Sequence, residues 1–379
     1  MHGGDRMTNV AALSKLLPTY ARLDVTFTEG EGSWLVDADG KRYLDLFAGI
    51  AVVGLGHRHP APLAAAHAQL DRLWHVSNLY FTEPMQELSL KLSDVFGGAR
   101  AFFCNSGAES IEAALKWARK ATGRSEFVAL EGSFHGRTFG ALSVTGQPAK
   151  RTAFEPLVPC VVFATPETLA EHIGPQTAAI LLEPVQGEGG VHPLPAHVLA
   201  EARELADQHG ALLILDEVQT GVGRSGEFFA WQRLGVKPHA VTLAKGLANG
   251  LPIGALLVAD DAPTGFEPGD HASTFGGSPV TCAAACAVVE TIDAGLLAQV
   301  RSTSDFFLGA LGQFGDVRGL GLLLAVELEQ PAGPVVEAAL RHGLVIGSAG
   351  ERTLRLTPPL TLSADEAVLA IDLLSEVIQ

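Results

Sequence analysis

The chain is 379 residues long, enough for two or three domains with a large buried core. Hydrophobic residues make up 47% and charged residues 18%, and the 42 Gly and 21 Pro are scattered between periodic segments, which excludes a disordered tail, a collagen repeat and a disulfide miniprotein. Lys and Arg number 26 against 42 Asp and Glu, a net charge of −16, and this field without any basic run excludes a nucleic-acid binder.

The opening MHGGDRMTNV lacks the apolar core of a secretory signal, and Met7 is an alternative start. No stretch is long and apolar enough for a membrane span, so a cytoplasmic protein with no membrane partner is expected. The four cysteines Cys104, Cys160, Cys282 and Cys286 fit a reducing compartment, and no metal site is expected from them. From Ser33 to Asp45 the pattern alternates around Asp39-Gly40, which predicts a β-hairpin. Helices are predicted at 61–74 and 84–95, and His57 and His59 just before the first read as a helix-start turn. After Phe102 come short apolar runs, each followed by an amphipathic stretch: AFFC, EFVAL, AAILLEP, ALLILDE, AVTLA and IGALLVA. Non-alternating runs of this length predict strands buried on both faces of a parallel sheet, an α/β and doubly wound arrangement. From about 280 the chain changes to an Ala-rich helix, then VRGLGLLLAVEL, RHGLVIG and LRLTPPL as strands, and a last helix opened by Ser363 with Glu366 as a capping box. This predicts an α+β C-terminal domain.

Three strand ends carry chemistry. Ser106-Gly107-Ala108 lies between the strand AFF and a long helix, where free N–H groups and a positive dipole end hold a phosphate. The same Ser106 with Glu109 also suits a plain capping box. Asp216 ends the strand LLILD, at the sheet edge where ligands bind, and can keep a heteroaromatic nitrogen protonated. Lys245 ends the strand AVTLA, where desolvation favours the neutral amine that attacks a carbonyl, although a lone strand-end lysine is more often a solvated one. Gly221 to Gly226 reads G-x-G-x-x-G, but Glu217 to Thr220 separate it from the strand and Lys245 stands about where a ribose-binding acid belongs, so a nicotinamide site is not expected.

Together with these points, the segments YLDLFAGIAVVGLGHRHP, FFCNSGAESIEAALKWARK, FHGRTFGALSVTGQP, LLEPVQGEGGV, LLILDEVQTGVGRSGEFFA, LAKGLANGLPIGALL and HASTFGG run over nearly the whole chain. The chain resembles the class III aminotransferases of pyridoxal-phosphate fold type I, and among them the acetylornithine aminotransferases. The resemblance implies a large domain with a mostly parallel seven-stranded sheet flanked by helices at 46–277. It also implies a small α+β domain at 278–379, which the N-terminal segment 1–45 joins. It implies pyridoxal 5'-phosphate bonded covalently to Lys245, with Asp216 on the ring nitrogen, Gln219 and Glu183 serving the ring oxygen, and Phe134 and Val218 on the two faces. Ser106, Gly107 and Ala108 would hold the phosphate, and Ser273 and Thr274 would reach it or the substrate from the other subunit of a homodimer. Arg137 and Arg355 would each bind a substrate carboxylate, and Glu188 would pair with Arg355 when the substrate brings only one.

The activity implied moves the terminal amine of N2-acetylornithine to 2-oxoglutarate in two half-reactions of arginine biosynthesis. Gly189 and His135 match the acetylornithine pattern, and the segment Ser77–Phe81 would line the donor pocket. Succinylornithine, succinyl-diaminopimelate, ornithine or 4-aminobutyrate would use the same machinery, and an aminomutase would need no keto-acid acceptor. A transcription regulator built on this domain would need a basic DNA-binding helix pair, for which the thirty or so residues before the matching region are too few.

Overall fold

The apolar runs form one seven-stranded sheet in a computed structural model, which describes residues 15–378. The strands are β1 (Phe27–Glu31), β2 (Trp34–Asp37), β3 (Arg42–Asp45), β4 (Ala99–Cys104), β5 (Glu126–Leu130), β6 (Val161–Ala164), β7 (Thr177–Leu182), β8 (Val185–Gln186) and β9 (His192–Pro193). They continue as β10 (Leu212–Asp216), β11 (Ala240–Leu243), β12 (Gly254–Ala259), β13 (Asp316–Leu320), β14 (Leu323–Glu327), β15 (Leu344–Val345), β16 (Gly347–Ser348) and β17 (Thr353–Leu356). The large sheet has the order β4-β12-β11-β10-β7-β5-β6. Only β12 opposes the rest, pairing antiparallel with β11 and β4. Every residue of β7 and β10 is buried, as expected for strands covered on both faces.

This topology places function at one edge. Strands β4, β5, β7, β10 and β11 share a direction, so Ser106, Phe134, Glu183, Asp216 and Lys245 all emerge where those strands end. Register aligns them: Leu215 pairs with Leu182, one residue before Asp216 and Glu183 respectively, and Asp216 itself pairs with Thr242.

The predicted hairpin is β2–β3, joined by the C-terminal β15 running parallel to β3. A second small sheet, β13-β14-β17-β16, lies beside it. Leu44 and Leu46 share a core with Leu324, Leu356 and Leu374, which ties the N-terminal segment to the C-terminal elements. The run VRGLGLLLAVEL is two strands, because Gly321 at φ 60° turns β13 into β14. RHGLVIG splits likewise, β15 joining the first small sheet and β16 the second. The Ser363–Glu366 capping box opens the helix Ala364–Val377.

The Ala-rich helix Pro279–Thr291 packs on the helices Pro60–Leu70 and Glu83–Phe96, and its Cys282, Ala285 and Val288 belong to the larger core. We therefore propose moving the domain limit from 277/278 to about Asp293, since packing and not composition decides it. Among the described residues no single helix is long and apolar enough to cross a membrane. Cys282 and Cys286 are buried free thiols, pushed up to about 12 by burial. His57 Nε2 meets the buried Asp45 Oδ2 at 2.7 Å, and His59 stands at the start of the helix Pro60–Leu70.

Candidate active site

A cavity of about 400 Å³ opens at the shared sheet edge, lined among others by Ser106, Phe134, Asp216, Val218, Gln219 and Lys245. Lys245 sits just past β11 in the left-handed region at φ 43°, an uncommon conformation for a side-chain-bearing residue and one that accompanies functional sites. Its amine has no hydrogen bond or ion pair among the described residues. Burial lowers its pKa, with Glu188 opposing and Arg355 adding to the shift. A larger share of the amine is therefore neutral and nucleophilic than for a solvated lysine.

Asp216 is fixed from both sides. Its Oδ2 meets His135 Nδ1 at 2.7 Å, while Oδ1 accepts from Val218 N at 3.1 Å and Thr242 Oγ1 at 3.2 Å. Glu183 Oε2 accepts from Phe134 N at 2.9 Å. Burial, reinforced by the Asp216 charge, pushes the Glu183 carboxyl well above its ordinary range.

At the other end the helix Gly107–Thr122 presents its N-terminus. Ser106 is its N-cap and accepts from Glu109 N at 3.2 Å, and the Glu109 carboxylate accepts from Asn105 N at 2.8 Å. Ser106 thus both caps the helix and faces the cavity. Gly107 permits close approach: a Cβ there would stand 2.8 Å from Val218 Cγ1.

Arg355 on β17 is buried and donates from Nη1 to Glu188 Oε1 at 2.5 Å and to Gly187 O at 3.2 Å. Burial alone would raise Glu188, but the charge and hydrogen bond of Arg355 outweigh it and hold the carboxyl below its usual range. Arg137 lies at the mouth, its guanidinium carbon 5.5 Å from the Phe134 ring centre. Ser273 and Thr274 line a different cavity, beside His75, Asn78 and Phe103. Ser273 Oγ accepts from Asn105 Nδ2 at 3.1 Å, linking that second cavity to the phosphate-cradle strand.

Several residues beyond the sequence candidates belong to the site. His135 stands 81 positions from Asp216, and no local spacing joins them. Glu112 lies one face of a helix away from the cradle; its Oε1 accepts from Thr138 Oγ1, Gly140 N and Ala141 N, holding the segment that carries Arg137. The Lys150 ammonium stands over the Phe134 ring, reaching it from a short helix, Pro148–Arg151.

The cavity fits a phosphorylated, aldehyde-bearing pyridine. An acid stands ready for the ring nitrogen, a helix N-terminus for the phosphate, an amine for the aldehyde, and Phe134 and Val218 for the ring faces. Among the described residues, buried Gln219 Oε1 and His135 Nε2 are without hydrogen-bond partners, as atoms reserved for a bound group would be.

Residues 18–378 match the family Aminotransferase class-III, and the chain belongs to that family. It is 48% identical over 381 residues to an acetylornithine aminotransferase of Corynebacterium efficiens, covering 96% of this chain and 94% of that one. Among solved structures it is similar to an ornithine aminotransferase of Toxoplasma gondii, reported with partial occupancy of PLP at the active site. The TM-score is 0.91 at 30% identity, over 96% of this chain and 92% of that one. An N-acetylornithine aminotransferase of Stenotrophomonas maltophilia gives 0.83 at 33% identity, over 95% and 96%.

Proposed function

We propose that this chain is a pyridoxal-phosphate-dependent aminotransferase that moves the terminal amine of N2-acetylornithine to 2-oxoglutarate, giving N-acetylglutamate 5-semialdehyde and glutamate. The reading is carried by the convergence of a desolvated Lys245 amine with a His135-braced Asp216 at one sheet edge. It is supported by the 42–48% identity to relatives named acetylornithine aminotransferase over nearly the whole chain. Arginine biosynthesis follows from that activity, and the reducing cytoplasm suits four free cysteines.

When bound, the cofactor supplies an aldehyde and an electron-accepting ring. Lys245 would hold the cofactor through its amine and would serve as the base and acid that takes a proton from the substrate carbon and returns it. Asp216 keeps the ring nitrogen protonated, and His135 and Thr242 hold the carboxylate in place. Gln219 and Glu183 serve the ring oxygen. Ser106, Gly107 and Ala108 take the phosphate.

Arg137 binds the carboxylate at the far end of either substrate. Arg355 is occupied by Glu188 when the donor brings one carboxylate, and is released to bind the second of glutamate or 2-oxoglutarate. Ser273 and Thr274 act across a homodimer. The exposed Leu79, Tyr80, Phe81 and Phe275 beside that second cavity are the apolar surface such a dimer would cover.

Half-reaction rates with acetylornithine, succinylornithine, ornithine, 4-aminobutyrate and glutamate test the reading in wild type and Glu188→Gln. The expected result is fastest turnover with acetylornithine, depressed by Glu188→Gln while glutamate is spared. Equal damage to both donors would contradict the Glu188 role, and turnover without any keto-acid acceptor would point to an aminomutase.

A further inference from the structure

We propose that Lys150 determines specificity: with Arg137 it makes the far end of the donor pocket doubly cationic, selecting a donor whose α-nitrogen is acylated over one carrying a free α-ammonium. This rests on the acylornithine reading and names the group that enforces it.

The ammonium of Lys150 lies 4.8 Å from the centre of the Phe134 ring, and the guanidinium of Arg137 lies 5.5 Å from the same centre. Neither side chain has a hydrogen bond or ion pair among the described residues. Arg355, the other cation of the site, is by contrast closed by Glu188. Two cations flanking one phenyl ring without a carboxylate of their own repel each other until an anion arrives. Burial lowers the Lys150 pKa, with Glu188 opposing and Arg137 and Arg355 adding to the shift, so an arriving carboxylate would restore charge to this amine as well as pair with it.

The donor's chemistry completes the case. Its reacting amine must reach Lys245, which leaves the α-carboxylate and the α-nitrogen at the opposite end, on one carbon. A free α-ammonium is then held beside the two cations that bind its own carboxylate. Acylation removes that charge and offers a carbonyl oxygen, to which the Lys150 ammonium can donate. Acetyl and succinyl groups satisfy this requirement alike, so both belong in the test.

The holoenzyme and its Lys150→Met and Lys150→Arg variants are compared in kcat/KM for N2-acetylornithine, N2-succinylornithine, ornithine and glutamate, with 2-oxoglutarate as acceptor except for glutamate, which is followed as a half-reaction. Calorimetric binding of N-acetylnorvaline and norvaline, which lack the δ-amine, to borohydride-reduced holoenzyme, whose aldehyde carbon can no longer react with an amine, supplies a readout independent of turnover. Melting temperature reports folding. Lys150→Met should shift the acylornithine-to-ornithine preference about tenfold toward ornithine, the size of one like-charge contact in a partly solvated pocket. The N-acetylnorvaline-to-norvaline ratio should shift the same way, glutamate should gain nothing, and Lys150→Arg should keep the wild-type ratios. Unchanged ratios in Lys150→Met, or an equal loss on every donor, would overturn the proposal. Wild-type enzyme that turns over neither acylornithine would instead defeat the substrate reading, and the norvaline pair would still decide the role of Lys150.

Discussion

The carboxylate of Asp216 meets His135 Nδ1 at 2.7 Å and takes Thr242 Oγ1 and Val218 N on its other oxygen, so it cannot turn away from the cavity. An amide at that position keeps the shape and loses the charge that holds a ring proton. Asp216→Asn should therefore retain cofactor binding within about tenfold while turnover falls about a thousandfold, a comparison made by absorbance titration and steady-state rates. A near-normal rate would remove the proton-holding role. Asp216 and Lys245 are legible in the sequence because each ends an apolar run, and a charged residue there has only the sheet edge to occupy. His135 was visible only as part of a family pattern. Its partner lies 81 residues away, and only the strand order that sets β5 one strand away from β10, with β7 between, brings the two together. Lys150 carries no signal at all, being one lysine in a loop-like stretch until Phe134 is seen beneath it.

At the level of elements, the long helix Gly107–Thr122 serves two sites at once. Its first turn faces the phosphate end, and Glu112 one turn further accepts from Thr138 Oγ1, Gly140 N and Ala141 N, capping the short helix Phe139–Ser143 behind Arg137. Removing that cap with Glu112→Ala should loosen Arg137 and raise KM for acetylornithine about tenfold with little change in kcat, the pattern of lost substrate positioning. A fall in kcat at constant KM would place Glu112 elsewhere in the cycle. Strand existence in the large sheet was readable from short apolar runs, but the opposite direction of β12 was not, because an antiparallel strand buried on both faces has the same composition as a parallel one. The helix Pro279–Thr291 shows a related limit of pattern: small residues mark a close helix contact without saying which core supplies the partner.

Across the whole molecule, stability and chemistry are coupled through the turn that follows β10. Glu217, next to Asp216, is fully buried and accepts from Ala230 N at 2.6 Å and Trp231 N at 2.9 Å, and burial pushes its carboxyl up to about 7. The folded state thus keeps a proton that the unfolded chain releases near 4.5. The stability linked to this proton is fully present below that value and is lost as pH rises to about 7, a change on the order of 3 kcal/mol. Glu217→Gln should flatten the fall in melting temperature over that window; an unchanged slope would assign it to other groups. The two cores meet where β17 brings Arg355 against the Glu188 loop, and Arg318 of β13 donates to Gly190 O at 2.8 Å across the same seam. The Arg355–Glu188 pair and the tie between the N-terminal hairpin and the C-terminal strands were expected from family resemblance, whereas the Arg318 contact with Gly190 has no local pattern that announces it. On the proposed reading all of these parts would serve one covalent bond at Lys245. Reduction of the pyridoxal-phosphate-loaded enzyme with borohydride, followed by peptide mapping, should find the phosphopyridoxyl mass on Lys245, and finding it on another lysine or on none would contradict the account.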